Sequence, residues 1–133
     1  MKRILFTLLV TTCSAAWAEW EQTNHVGKDN STHFHDKSSI KSVGGITKMQ
    51  SLMNYAEEKT LKSGDKFESV VRQDGYDCKY EKTAVIKVTY FSGTMGTGNI
   101  VYSYIVKNSD LDWEPFSPSS LDEKHWKIAC GKD

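Results

Sequence analysis

The chain has 133 residues, with 17 Lys+Arg against 17 Asp+Glu, 38% hydrophobic and 26% charged, a size and balance that fit one globular domain and exclude two. A formal charge of zero argues against nucleic acid as a partner, because neutralising phosphates takes a basic face. The only arginines are Arg3 and Arg72, so bidentate clamps for phosphate or carboxylate are nearly absent.

Residues 1–18 read as a secretory signal. Lys2 and Arg3 form the basic start, Ile4 to Val10 the apolar core, and Ala16-Trp17-Ala18 the small-x-small cleavage site. The mature chain is expected to begin at Glu19 and to form a single domain over 19–133. Thr7, Thr11, Thr12 and Ser14 interrupt the apolar run, which is too short for a permanent transmembrane span. Cys13 follows Val10-Thr11-Thr12, a poor context for lipid attachment, so ordinary cleavage is expected.

Trp20 to Val26 and Thr32 to His35 read as strands flanking a hairpin loop at Gly27 to Ser31. Gly44-Gly45 marks the next turn. Ile46 to Leu61 is ambiguous: Ile46, Met49, Met53 and Ala56 keep helical spacing, while Thr47, Met49, Ser51, Met53 and Tyr55 keep strand spacing. Propensity favours helix over Tyr55 to Leu61. Ser63 to Asp74 reads as a strand that ends at the turn dipeptide Asp74-Gly75.

Thr83 to Phe91, rich in Val, Ile, Thr and aromatics, is the strongest strand, and Asn99 to Val106 should pair with it antiparallel across the glycine loop Gly93 to Gly98. Ser120 followed by Glu123 is a capping box that opens a helix, with Leu121, His125 and Ile128 on one stripe and Gly131 placed to end it. After signal removal two cysteines remain, Cys78 and Cys130, without C-x-x-C spacing. In an oxidising compartment this pair is expected to form a disulfide, worth roughly 4 kcal/mol in the chain-entropy model.

Phe34 to Val43 (FHDKSSIKSV), Met49 to Tyr55 (MQSLMNY), Phe67-Glu68-Ser69, Tyr76-Asp77-Cys78, the glycine-rich Phe91 to Gly98 turn, Trp113 with Pro115 and Pro118, and Trp126 to Cys130 (WKIAC) occur in an order that resembles the surface-adhesin protein E family. This is a family of small secreted or lipid-anchored bacterial proteins. The resemblance covers most of the mature chain and implies an α+β fold, a small antiparallel sheet with a C-terminal helix pinned to it by the disulfide. It also makes Ile46 to Tyr55 a strand, against the local helical spacing. Its functional implication is a domain at the cell surface or in the envelope that binds host matrix or plasma glycoproteins. A poor lipid site at Cys13 is the one departure from the lipid-anchored members.

His33 and His35 share one strand face, and with His25 across the hairpin they could be drawn as a zinc or nickel site; no fourth ligand is fixed, and a polar sheet face is the expectation. His125 reads as a packed histidine. No nucleophile elbow, P-loop or zinc-hydrolase helix occurs, and Gly93 to Gly98 lacks the Lys-Ser of a phosphate loop. Neither an enzyme nor a cofactor is expected. The candidate partner-binding residues are Arg72, Lys79, Tyr80 and Lys82, basic groups with one aromatic anchor near the Tyr76 to Tyr80 corner. A periplasmic structural module and a small periplasmic enzyme inhibitor are the alternatives to host-protein binding.

Overall fold

Each strand from the first to the sixth pairs with its neighbour in sequence, so short turns and alternating side chains account for most of the topology. The computed structural model describes residues 18–25 and 27–133. The expected signal segment from Met1 to Trp17, including Cys13, lies outside the described residues, as does Val26. The elements are β1 (Glu21–Thr23), β2 (Thr32–Val43), β3 (Ile46–Thr60), β4 (Lys66–Asp77), β5 (Lys82–Phe91), β6 (Ile100–Ile105), β7 (Glu114–Pro115) and α1 (Leu121–Ala129). All seven strands form one antiparallel sheet, in the order β1-β2-β3-β4-β5-β6, with β7 beside the start of β5. Among the described residues no helix is long and apolar enough to cross a membrane.

Residues paired across strands share a sheet face. Two rows therefore define the helix side: Thr23, His33, Met53, Val70, Tyr90 and Tyr102, and beside it Glu21, His35, Ser51, Arg72, Val88 and Tyr104. The intervening row, Gln22, Phe34, Leu52, Val71, Thr89 and Ser103, faces the other way. Helix α1 covers part of the first face. Trp126 and Ala129 pack on Met49 and Tyr76, with Ile40, Phe116 and Ile128 around them. A second cluster, Phe67, Val70 and Val88, lies beyond the helix with Tyr55 and Tyr90 against it. On the opposite face the Gly93–Gly98 loop folds back onto the sheet: Ser69 Oγ donates to Gly93 O (2.6 Å) and accepts from Gly96 N–H (2.9 Å).

The helix starts where its cap was expected. Ser120 Oγ accepts from Glu123 N–H at 3.2 Å, but Glu123 does not complete a reciprocal box; its carboxylate pairs with Lys127 one turn on, at 3.2 Å. The sheet is larger than expected. Strand β3 runs through Tyr55 to Thr60 without turning helical, because Lys59 and Thr60 pair with Phe67 and Lys66 past a bulge and the Tyr55 ring meets Phe67 edge-on at 5.5 Å.

Asp74-Gly75 is not a turn. Strand β4 continues through it to Asp77, and the turn falls at Cys78 to Glu81. The reason is side-chain packing: Asp74 is buried against Arg72, and a Cβ on Gly75 would stand 2.9 Å from the Trp113 ring, so glycine serves close approach here. Gly44 and Gly45, both at positive φ (60° and 81°), make the two-residue β2–β3 turn as their dipeptide suggested.

Candidate partner-binding site

The β4–β5 hairpin carries three of the four residues singled out for binding. Asp77 begins it: its Oδ1 accepts the N–H groups of both Lys79 and Tyr80 at 3.0 Å, holding the corner as an Asx turn. Below the corner, Cys78 is bonded to Cys130 with a Cα–Cα distance of 5.6 Å, and Trp126 Nε1 donates to Asp77 O at 2.9 Å. A disulfide and a buried indole thus fix the base of an exposed tip. Tyr80 is 65% exposed, and Lys79 Nζ lies 5.1 Å from the centre of its ring, a cation–π contact. Lys82 is exposed at the first position of β5, opposite Pro115.

Arg72 is placed elsewhere. It lies on the helix-side face opposite Val88, five residues before the corner begins. Its Nη2 is 2.7 Å from Asp74 Oδ2 and its Nε donates to Oδ1 at 3.3 Å, a bidentate pair. Burial opposes the Arg72 charge, but Asp74 outweighs it and holds the guanidinium pKa above its usual value. Burial dominates at Asp74, lifting its carboxyl pKa despite Arg72. The arginine charge is thus neutralised within the domain and is not part of the hairpin surface. The buried Asp74, which sequence reasoning took for a turn residue, is its partner.

All four histidines gather between β1, β2 and α1. Thr23 Oγ1 lies 2.7 Å from His35 Nδ1 and 3.1 Å from His125 Nε2, and the His35 and His125 rings are 6.3 Å apart. His33 Nε2 reaches Ser31 Oγ at 3.2 Å, and its ring meets that of His25 edge-on at 5.4 Å. His33 and His35 do share a face, but Thr23, not His25, stands opposite His33. Hydroxyls engage one ring nitrogen each of His33, His35 and His125, the other nitrogen of His35 lies 3.3 Å from Glu21 Oε2, and among the described residues no His, Cys, Asp and Glu group has a metal-holding arrangement.

Burial lowers the pKa of His33 and His35, and drives that of His125 to about 3. These imidazoles are neutral supports for the helix. Beyond the helix, rings at Tyr55, Phe67, Tyr90, Tyr102 and Tyr104 follow one another at 5.0–6.0 Å across the sheet. The i, i+2 spacing of Tyr102 and Tyr104 was the only sequence signal for this row.

A seven-stranded antiparallel sheet with a C-terminal helix pinned to one face by a disulfide defines a small α+β fold class. The family model of the surface-adhesin protein E matches residues 20–131. The chain belongs to that family. Solved structures agree on the fold. Crystal form II of Haemophilus influenzae protein E superposes with a TM-score of 0.58 at 13% identity, covering 74% of this chain and 80% of that one. Its selenomethionine form gives 0.57 at 13%, covering 74% and 78%, and protein E from non-typeable Haemophilus influenzae 0.57 at 14%, covering 80% and 74%. No curated protein matches the chain.

Proposed function

We propose that this protein is an exported, surface-associated adhesin that binds host extracellular-matrix or plasma glycoproteins through the tip of the β4–β5 hairpin. The observation that carries this reading is the Lys79–Tyr80 pair, an exposed aromatic under a cation on a base fixed by Cys78–Cys130 and Trp126. Rigid aromatic anchors lose little entropy on binding, and flanking lysines steer an acidic partner toward them. Lys82 adds a second cation, whereas Glu81 at the tip tempers the net charge. Family membership supports the adhesive role.

Binding of the mature protein to immobilised matrix and plasma glycoproteins tests this. Lys79→Glu with Lys82→Glu should slow association roughly tenfold or more while dissociation changes little, and added salt should reproduce the effect on the unmutated protein. An unchanged on-rate in the folded double variant would remove the hairpin from the site. Cell fractionation with intact-mass analysis tests the export: the expected product begins at Glu19 without lipid, at the surface. A soluble periplasmic location with no matrix binding would favour a structural module of the envelope.

A further inference from the structure

The sheet face turned away from the helix carries a cavity. Gln50, Gln73 and Lys87 form one row across β3, β4 and β5. Each stands two residues along its strand from Leu52, Val71 or Thr89, so all three side chains leave the sheet on that face. Together with Trp20, Phe91 and Met95 they line a cavity of about 320 Å³, at the lower end of the size range of small-molecule sites.

Its walls are held by the fold. Trp20 is half-buried and directly precedes β1; it stays in a chain that begins at Glu19, whereas Ala18 at the rim is lost on the expected cleavage. On the opposite side Met95 N–H donates to Asn54 Oδ1 at 2.9 Å. A Cβ on Gly96 would stand 3.2 Å from Val71 Cγ2, so the glycine loop sits directly against the floor of the cavity.

The polar groups here are uncommitted. Among the described residues no hydrogen bond or ion pair engages the side chains of Gln50, Gln73 or Lys87; at Gln50 it is the backbone N–H that donates to Ser39 Oγ, at 2.8 Å. Asp36 continues the row beyond Gln50, but it is buried and its Oδ1 accepts the N–H and hydroxyl of Ser38 at 3.0 and 2.5 Å. Among the described residues Lys87 is the only charged one lining the cavity.

Each of these groups selects for a different part of a ligand. A primary amide offers donors and an acceptor together, which suits neighbouring hydroxyls. The electron-rich face of an indole takes the polarised C–H groups of a saturated ring, and an ammonium pairs with a carboxylate. We infer that this cavity binds an acidic sugar residue of a glycan, with its ring against Trp20, its hydroxyls on Gln50 and Gln73, and its carboxylate on Lys87. An acidic peptide supplies the carboxylate but lacks the adjacent hydroxyls that two side-by-side amides address. The site contains no residue of the β4–β5 hairpin tip and does not rest on host binding by that tip.

Proton–nitrogen correlation spectra of the mature protein test it, titrated to about 10 mM with sialyllactose, a hyaluronan tetrasaccharide, lactose, acetate or a diglutamate peptide. At least one of the two acidic saccharides should shift the side-chain amide signals of Gln50 and Gln73 with a Kd of about 1 mM or tighter. Lactose, acetate and the peptide should bind at least about tenfold more weakly, the worth of one charge-assisted hydrogen bond. Lys87 is exposed, so Lys87→Gln should stay folded, as the dispersion of the same spectra shows, and should bring the acidic saccharide down to the lactose level. Trp20→Ala should weaken the acidic saccharide at least about tenfold, whereas Lys79→Glu with Lys82→Glu should leave its binding unchanged. The inference is overturned if neither acidic saccharide shifts those amides, or if lactose, acetate or the peptide binds as tightly. Undiminished binding by folded Lys87→Gln, or shifts centred on Tyr80 instead, would overturn it as well.

Discussion

His125 faces the sheet from the middle of α1, and the Thr23 hydroxyl joins it to His35. One hydroxyl carries one proton, so Thr23 donates to one imidazole and accepts an N–H from the other, an arrangement that suits two neutral rings. The charged groups around them are Glu21 on β1, 3.3 Å from His35 Nε2, Lys37 on β2, Arg72 on β4 and Asp133 beyond the helix. Burial outweighs the attractive carboxylates. Because the folded-state pKa of His125 lies at about 3 against 6.5 for the free group, the unfolded chain takes up protons first as pH falls. Stability is then complete above about pH 6.5 and declines toward pH 3. At pH 5 the loss from His125 alone is about 2 kcal/mol, and His33 and His35 shift in the same direction. Urea denaturation at pH 7.5 and pH 5 should show a clearly lower midpoint in acid. Equal midpoints would mean that these rings are not neutral in the folded protein.

Helix α1 owes its start to local chemistry that the sequence displays openly. Ser120 supplies the cap oxygen, Asp122 and Glu123 lie in the first turn and Lys127 in the last, each favourable toward the helix dipole. Ser120→Ala should cost about 1 kcal/mol, read as a lower thermal midpoint with the fold retained; no change would mean that packing of Trp126 alone sets the helix start. Strand β3 is the contrasting case. Its Tyr55 to Lys59 stretch has helical propensity, and only pairing with Phe67 and Lys66, contacts remote from the local pattern, makes it a strand. The family resemblance correctly made Ile46 to Tyr55 a strand but did not reach its last turn of sequence. Asp74-Gly75 misled for a similar reason, since the Arg72 pair and the Trp113 ring that justify those residues are invisible in local composition. Of the candidate site, the cation and tyrosine of the hairpin were legible from spacing, whereas the withdrawal of Arg72 into a buried pair was not.

At the scale of the whole molecule, the Cys78–Cys130 bond closes a loop of 52 residues and joins the only α-helix among the described residues to the corner of the sheet. It also connects stability to the proposed binding surface, because Cys78 immediately precedes Lys79 and Tyr80. In the chain-entropy model, removing the bond costs roughly 4 kcal/mol. Trp126 and Ala129 still pack on Met49 and Tyr76 without it, so a folded but weakened domain is expected. The Cys78→Ala, Cys130→Ala double variant should therefore unfold at lower denaturant, while amides at Lys79 and Tyr80, held by Asp77 Oδ1, should exchange faster well before global unfolding. If the hairpin is the adhesive tip, glycoprotein binding measured where both proteins are folded should weaken mainly through faster dissociation, as ordering the loop becomes part of the cost of binding. Lysine reversal acts on the on-rate instead, so the two variants separate steering from preorganisation. Unaltered binding by a destabilised double variant would show that the partner is held elsewhere on the molecule.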